Sequence, residues 1–521
     1  MKTVIKSLVS LILLIAFSVG LHAQQAYRLM HNDSKKIQLR LNSTTLSSVE
    51  VKTELGNFSR LMMDQFHSSV QVGDPELPTL VKLIEIPLCD DIELRVTPGE
   101  FIIYDAAALD ISYPVFPAQP SYEKSYEGPI TLIKNDSTYE QNRFFAAVPL
   151  VTVNPIGQMR DYNLAELTFS PVSYNPVTEQ FKVYQSVEVE IRFVNSRPEE
   201  TAAMKRLYST PMMGVPASLL MNPTDPQPAE LEHNPIKMVI VSDPMFEAQL
   251  APFIEWKKRK GFIVDLALTS NPNVGTTTTT IKNYLQAQYD NATETDPAPT
   301  FVLFVGDVAQ IPTFQGATGI HVTDLYYVTY TAGDYLPDAY YGRFSANNAA
   351  QLAPQLEKTL MYEMYTMPDP TYLDDAVLVA GTDDYWSPTH ANGQVNYLSD
   401  NYINTGYGYS NIYKHLYPAT SQAALIRQKI GNGVGFANYT AHCTSAGWSD
   451  PSFEIHHVSS MNNENKYGLI IGNCCQSGMF DNSACFAEML LRADKKGAMA
   501  YIGASNSTYW NEDFYWTVGL R

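Results

Sequence analysis

The chain has 521 residues, 45% of them hydrophobic, and a formal net charge of −19. This length and composition predict two or three domains with sizeable cores. The negative charge argues against a protein that binds nucleic acid or an anionic membrane surface, because both need a positive surface.

The first 23 residues have the pattern of a signal peptide. Lys2 and Lys6 form a basic start, an apolar run extends from Leu8 to Leu21, and Ala23 offers a small residue for cleavage. The run is too short to predict a transmembrane helix, and no other stretch is long and apolar enough. We therefore expect an exported protein, secreted or at the cell surface, without a transmembrane segment.

Residues 24–205 contain short alternating runs separated by turns with proline or glycine, a pattern typical of an all-β sandwich. The predicted strands are Ile37–Leu41, Ser69–Val72, Ile84–Leu88, Ile92–Val96, Val148–Val153 and Val183–Phe193. Residues 206–235 are rich in proline and polar residues and predict an exposed linker. Lys205 and Arg206, at its start, are candidate sites of proteolytic processing.

From residue 236 strands and helices alternate, which predicts an α/β domain with a mostly parallel sheet. Residues 236–375 and 376–521 are its two predicted halves, and each begins with a buried strand. The predicted helices are Phe246–Arg259, Thr280–Gln288, Ala350–Met367, Tyr397–Thr405, Ser421–Ile430 and Phe486–Lys496.

Two predicted strands of the second half end in a possible nucleophile and a possible base. The apolar run Leu469–Ile471 leads to Cys474 and Cys475, and the segment that begins at Val434 ends at His442. Open α/β sheets carry their chemistry beyond the carboxyl ends of strands, so this pattern favours a cysteine hydrolase. Neighbours on a strand face opposite sides, so only one of the two cysteines can point into a cleft.

The five cysteines are Cys89, Cys443, Cys474, Cys475 and Cys485. The last four of these lie close together in the sequence. Buried thiols with one local disulfide are the simpler interpretation of this cluster, whereas its position next to His442 favours a reactive site. No C-x-x-C pair occurs, which argues against a zinc site.

Three segments resemble the gingipain family of cysteine peptidases, which belongs to the caspase-like group. They are Asn-Tyr-Thr-Ala-His at 438–442, Trp-Ser-Asp-Pro at 448–451 and Ile-Gly-Asn-Cys-Cys at 471–475. The likeness continues through 497–503 and 509–516 and is greatest to the lysine-specific branch. It implies a zymogen with a signal peptide, a β-rich inhibitory prodomain and a caspase-like α/β catalytic domain. Members of the family continue beyond the residue that matches Arg521, so the second half is expected to be C-terminally truncated.

The resemblance also implies roles for individual residues. Cys475 would be the nucleophile, with Cys474 a packed thiol, and His442 would protonate the leaving amine. Asp383 would orient the imidazole, although the neighbouring Asp384 stays possible, and both aspartates could be loop or cap residues.

One position departs from the family pattern. The family has glycine directly after the catalytic histidine, and this chain has Cys443. The backbone N–H groups of Cys443 and Cys475 would form the oxyanion hole. If position 443 needs a positive φ, cysteine there costs about 1–3 kcal/mol of strain. Its side chain could also crowd the cleft or form a silencing disulfide with Cys475. A catalytically impaired member that binds peptides or surfaces is therefore the alternative.

The resemblance implies cleavage of protein or peptide substrates after lysine. Asp513 holds the position that faces the substrate ammonium in the lysine-specific branch, and Thr440, Asn473, Tyr509 and Trp510 match residues around that pocket. One carboxylate with neutral oxygens suits an ammonium, whereas a guanidinium prefers a bidentate partner. Cleavage after arginine is the second alternative, and Asp513 could instead cap the helix that follows.

An acidic group resembles the family's calcium site, which would be structural. Its members are Asp307, Asp334, the backbone carbonyl of Leu336, and Asp338, where the family usually has glutamate. Such oxygen ligands suit the flexible coordination of Ca²⁺.

Overall fold

The computed structural model describes residues 25–69, 71–208, 219–223, 235–331, 333–418, 420–481 and 484–518. The predicted signal peptide and most of the predicted linker lie outside the described residues. An N-terminal unit (25–208) contains only antiparallel sheets, and a C-terminal unit (235–518) contains two parallel sheets flanked by helices. The predicted fold class is therefore confirmed. Among the described residues, no helix has the length and apolar character needed to cross a membrane.

Two four-stranded sheets form a sandwich in the N-terminal unit, with strand orders β1-β2-β13-β7 and β5-β6-β10-β9. Their strands are β1 Tyr27–Asn32, β2 Lys36–Asn42, β5 His67–Ser68, β6 Pro78–Ile86, β7 Asp91–Pro98, β9 Val151–Met159, β10 Tyr162–Phe169 and β13 Ser186–Val194. Every second residue of β13 is buried, as expected for a strand with one face on a core. Leu39 and Ile191 from one sheet share this core with Leu80 and Phe169 from the other.

Smaller sheets, ordered β11-β12-β8 and β3-β4, extend the N-terminal unit. Their strands are β3 Ser47–Thr53, β4 Gly56–Met62, β8 Phe101–Asp105, β11 Val172–Asn175 and β12 Gln180–Tyr184, and two short helices, α1 Asp136–Tyr139 and α2 Pro198–Lys205, complete the unit. The prediction of one strand over Val183–Phe193 is wrong. The Gln185 N–H bonds to the Glu100 carbonyl, and the chain there passes from one sheet to another.

The prediction of a strand at Ser69–Val72 is also wrong. Strand β5 ends at Ser68, and residues 69, 71 and 72 have no strand assignment, while residue 70 lies outside the described part. Ser69 instead makes a local loop: its N–H bonds to the Leu77 carbonyl, and its hydroxyl accepts from the Leu77 N–H.

The C-terminal unit contains two parallel sheets, ordered β15-β14-β16-β19 and β21-β20-β22-β26-β27. Their strands are β14 Lys237–Ser242, β15 Ile263–Leu268, β16 Phe301–Val305, β19 Tyr340–Phe344, β20 Asp375–Ala380, β21 Asn411–His415, β22 Phe436–Thr440, β26 Leu469–Asn473 and β27 Ala500–Gly503. Short antiparallel strands are β17 Phe314–Gln315, β18 Val322–Thr323, β23 Cys443–Thr444, β24 Gly447–Trp448 and β25 Phe453–Glu454.

Helices cover both parallel sheets and the connections between them. They are α3 Glu247–Arg259, α4 Thr278–Asp290, α5 Ala349–Met364, α6 Asn392–Asn401, α7 Ala423–Gly431, α8 Ile455–Val458, α9 Phe486–Arg492 and α10 Trp510–Val518. Each predicted helix has a counterpart, but the one expected at Tyr397–Thr405 begins earlier, because it continues directly from a turn at Ser387–Ala391.

A buried charge cluster joins the two halves of the C-terminal unit. The Arg492 guanidinium lies 2.8 Å from Asp307 and 2.5 Å from Glu488, and its Nε donates to the Ser345 carbonyl. Asp307 and Ser345 belong to the first half, and Arg492 and Glu488 belong to the second. The guanidinium therefore has acceptors from both halves.

The candidate processing residues lie where the two units meet. Lys205 is the last residue of α2 and forms an ion pair with the buried carboxylate of Glu85. Arg206 pairs with Glu294 of the C-terminal unit at 3.1 Å and is well exposed. Processing at either residue stays a prediction, and cleavage after Lys205 requires the end of α2 to unwind.

Replacing Arg492 by alanine should lower the free energy of unfolding by about 3–5 kcal/mol, because two buried carboxylates lose their counter-ion. Urea denaturation followed by tryptophan fluorescence measures this effect. The matched control is Lys495→Ala, which removes an exposed ion pair with Glu464 and should leave the transition unchanged. Equal transitions for the two variants would contradict this interpretation of the cluster.

Candidate active site

The carboxyl ends of two neighbouring parallel strands bring His442 and Cys475 to one edge of the sheet. In the β22–β26 pair, Thr440 lies opposite Asn473. His442 and Cys475 each follow two residues beyond these partners, so both lie at the same edge of the sheet. This is the crevice where open α/β sheets bind ligands.

Asp383 follows the adjacent strand β20 and holds the histidine ring. Its Oδ2 lies 2.8 Å from His442 Nε2, and its Oδ1 accepts hydrogen bonds from the N–H groups of Tyr385 and Trp386. Burial raises the pKa of Asp383, but the hydrogen bonds from His442 and the two N–H groups outweigh burial and hold that pKa below its usual value. Asp383 is therefore an ionised acceptor, and the Nε2 of His442 carries the hydrogen.

Asp384 takes no part in this contact. Its carboxylate accepts a hydrogen bond of 2.7 Å from the Tyr417 hydroxyl and lies on the outer side of the loop. The structure thus brings Asp383, and not its neighbour, to His442.

Cys475 is a free thiol and is only 2% exposed. Its sulfur accepts from the Thr508 N–H at 3.3 Å and lies 3.8–3.9 Å from the Thr508 hydroxyl and carbonyl oxygens. Within the described part of the chain, all hydrogen-bond partners of this sulfur belong to Thr508. Thr508 thus contacts the thiol and Asp383 contacts the imidazole.

A disulfide joins Cys443 to Cys474, so the prediction that Cys474 is a packed thiol is wrong. Their Cα atoms lie 5.4 Å apart, which is within the range that a disulfide spans. A silencing bond to Cys475 is not formed. Cys443 lies in strand β23 with an extended backbone and not in the left-handed region, so the strain considered for this position does not arise.

The pocket beside Cys475 holds a lysine of the N-terminal unit. The side chain of Lys124 is 0% exposed, and its ammonium lies 2.6 Å from the Asp513 carboxylate. It also donates to the Asn473 carbonyl at 2.7 Å and to the Thr440 hydroxyl at 3.2 Å, and it lies 5.0 Å from the centre of the Trp510 ring. Burial lowers the pKa of Lys124, and the charge of Asp513 opposes that shift.

Four of the five predicted pocket residues therefore contact the ammonium, and Tyr509 does not. Asn473 uses its backbone carbonyl, because its side-chain amide donates to Gln394, to Thr517 and to the Asp513 carbonyl. The Tyr509 hydroxyl donates to Glu123 instead.

A short antiparallel pairing holds the Lys124 segment across the site. The Lys124 N–H donates to the Thr508 carbonyl at 2.8 Å, and the Trp510 N–H donates to the Tyr122 carbonyl at 3.1 Å. Between them, Glu123 forms a bridge with Tyr509. The segment thus adds a strand to the edge of the site, as an extended peptide does.

Aromatic side chains form the wall next to this segment. The rings of Trp386 and Trp510 stack with centroids 6.0 Å apart, and the Tyr122 ring packs against Trp386 at 6.1 Å. Sequence reasoning missed both Lys124 and Trp386. A lysine in a loop carries no local signal, and a tryptophan after an Asp-Asp turn is usually a packing residue.

The predicted calcium ligands do not converge. Asp307 is paired with Arg492 and Asn347. Asp334 accepts from the backbone N–H groups of Gln158 and Leu336. No group of three or more metal-binding side chains is found among the described residues.

Asp338 accepts backbone N–H groups from Arg160 and Tyr330, and burial raises its pKa to about 6. The carboxylates of Asp334 and Asp338 thus have backbone N–H groups as partners. The calcium site stays a prediction, and no chemical step below uses a metal.

Comparisons with known proteins agree with this architecture. The family model described as Peptidase family C25 matches residues 231–520, and the one described as Propeptide_C25 matches residues 24–210. A solved structure described as "Structure of Protease" is 38% identical with a TM-score of 0.51, covering 55% of this chain and 62% of that one.

Among curated proteins, Lys-gingipain HG66 of Porphyromonas gingivalis is 34% identical over 531 residues, which cover 98% of this chain and 30% of that protein. Gingipain R2 of the same species is 25% identical over 472 residues, which cover 89% of this chain and 61% of that protein. The chain thus spans less than a third of the length of the Lys-gingipain it matches. Because one family model alone covers more than half of the chain, the chain belongs to peptidase family C25, the gingipain family of cysteine peptidases, and carries that family's propeptide ahead of its catalytic domain.

Proposed function

We propose that the chain is the zymogen of a cysteine endopeptidase that cleaves peptide bonds after lysine. The observation that carries this proposal is the ammonium of Lys124, enclosed beside Cys475 by Asp513, Thr440 and the Asn473 carbonyl. A substrate lysine would take the same place once the prodomain (25–208) has left.

The number of acceptors favours lysine over arginine. An ammonium has three N–H donors, and the pocket offers three oxygens to them. A guanidinium is planar, has five donors, and is best met by a carboxylate that accepts two parallel hydrogen bonds. Asp513 presents one oxygen to the cation, and the Trp510 ring covers one side, so the shape and the charge both suit the compact ammonium.

The proposed chemistry uses Cys475 as nucleophile and His442 as base and acid. The sulfur attacks the carbonyl carbon of the substrate lysine while His442 accepts the thiol proton, and His442 then gives this proton to the nitrogen of the leaving amine as the peptide bond breaks. Since Asp383 is hydrogen-bonded to Nε2, the other ring nitrogen, Nδ1, accepts and then donates this proton. The N–H groups of Cys475 and Cys443 meet the oxyanion. Water then hydrolyses the thioester and frees the thiol.

The prodomain keeps the zymogen inactive by occupying both the pocket and the strand-pairing edge. Lys124 fills the place of the substrate side chain, and residues 122–124 pair with 508–510 where a substrate backbone would lie. Cys475 is then covered, in agreement with its burial. Prodomain removal would expose the pocket, the strand-pairing edge and Cys475 together.

We also propose that the protein is exported. The basic and apolar start of the sequence supports this, as does the Cys443–Cys474 disulfide, because disulfides persist mainly in oxidising compartments. Detection of the chain in cell-free medium or on intact cells, with its N-terminus after Ala23, tests the proposal. A cytosolic chain with Met1 intact would contradict it.

The function itself predicts rapid cleavage of a lysine peptide amide and slow cleavage of the matching arginine amide by the processed enzyme. Cys475→Ala should lose all turnover, while Cys485→Ala, which removes the other free thiol of the catalytic domain, should keep it. Release of a chromophore under reducing conditions measures both. Equal rates on the two substrates would contradict lysine selectivity, and turnover by Cys475→Ala would contradict the nucleophile.

The Asp513 carboxylate predicts a charge effect on substrate binding. Asp513→Asn should lower kcat/KM for the lysine amide by about 100-fold or more, because a buried ammonium loses its counter-ion. The control is Glu512→Gln, which alters the preceding acid; Glu512 contacts Ser121 and lies outside the pocket. Equal kcat/KM values for the two variants would show that Asp513 does not bind the ammonium.

A further inference from the structure

The Cys443–Cys474 disulfide lies at the base of the site. Cys443 directly follows His442, and Cys474 directly precedes Cys475, so one covalent bond connects the backbone neighbours of both reacting side chains. The two cysteines are separated by 31 positions in sequence, a stretch that includes the β23–β25 strands and α8. The bond therefore closes a loop across the parallel strand ends.

The disulfide is held in the core and not at the surface. Cys474 is 0% exposed and Cys443 is 8% exposed. Cys443 pairs with Trp448 in the β23–β24 hairpin, and the Trp448 ring stacks on Tyr439 at 4.7 Å. A crosslink anchored to such rigid packing fixes the positions of the atoms next to it.

The backbone N–H of Cys443 takes no part in the hydrogen bonds between β23 and β24. The Ser449 N–H bonds to the His442 carbonyl, which makes Cys443 and Trp448 a non-hydrogen-bonded pair of the hairpin. In such a pair the N–H groups point away from the partner strand. The hairpin thus leaves the Cys443 N–H available to an oxyanion.

We propose that this disulfide is a positioning element of the peptidase: it holds the Cys443 N–H and the His442 ring in register with Cys475. The inference rests on the proposed function and adds a covalent crosslink that positions its reacting groups. It assigns a use to Cys443, which the resemblance marked as a departure from the family and a possible cause of inactivity.

The contacts of Cys475 and His442 explain why a crosslink between their strand ends would matter. The Cys475 sulfur has its hydrogen bonds with Thr508, and His442 has its bond with Asp383. Neither group fixes the other directly. Donors to an oxyanion must be placed to within about 0.5 Å to be effective, so a covalent tie between the two strand ends bears on the reaction rate.

The first test counts thiols in the denatured, unreduced full chain. Alkylation should modify three cysteines, Cys89, Cys475 and Cys485, and peptide mapping should recover 443 and 474 as one linked pair. Modification of all five would overturn the inference.

The second test compares the wild type with Cys443→Ala/Cys474→Ala, both as full chains processed to the active form. We expect kcat for the lysine amide to fall by about 10-fold or more, with KM and inhibition by free lysine changed by less than about 2-fold. Loss of the crosslink should also lower Tm by about 10 °C, so rates are measured well below the transition.

Cys485→Ala is the matched control, since Cys485 is also fully buried but is a free thiol away from the cleft. It should lower Tm without lowering kcat. If the alanine pair does not fold, Cys443→Val/Cys474→Ala replaces the lost volume and carries the same expectation. Unchanged kcat in a folded double variant would overturn the positioning role alone. An inactive wild type would overturn the proposed function, and this inference with it.

Discussion

The buried ion pair between Lys124 and Asp513 is the contact that the zymogen depends on. Taking both charges out of water is costly, and the pair is tolerable because the Thr440 hydroxyl and the Asn473 carbonyl satisfy the remaining ammonium hydrogens. Removing either partner would leave a lone buried charge. Under the proposed function, latency and selectivity for lysine have the same origin, because the prodomain lysine occupies the pocket that a substrate lysine would occupy.

The parallel sheet supplies the geometry on which this contact rests. Three adjacent strands, β20, β22 and β26, end at one edge of the sheet. Asp383 follows the first of them, His442 the second and Cys475 the third. Short connections from the strands leave little freedom, and the disulfide at Cys443 removes more of it. Two of the three pocket oxygens, those of Thr440 and Asn473, come from the same strand ends, whereas the Asp513 carboxylate comes from α10.

The fold class and the Cys475/His442 edge were predictable because buried strands and amphipathic helices leave periodic patterns, and chemistry in open α/β sheets follows strand ends. Lys124 was not, since it lies 316 residues from Thr440, its pocket partner, and nothing local distinguishes it from a surface lysine. The Cys443–Cys474 pairing required the three-dimensional structure, because four clustered cysteines allow several connectivities. The division into two strands at Gln185 could not be predicted for a related reason. Apolar and polar residues alternate through both strands as they would in one, although the strands belong to different sheets.

The most direct measurement of the central claim is the alkylation rate of Cys475 in the unprocessed chain, compared between wild type and Lys124→Met. The variant keeps an unbranched side chain but removes the ammonium, so the prodomain segment should detach and the thiol should react at least about 10-fold faster. Lys52→Met, at an exposed position of β3, is the control and should react like the wild type. Equal rates for all three chains would contradict the account, because they would mean that the Lys124–Asp513 pair does not keep the site closed.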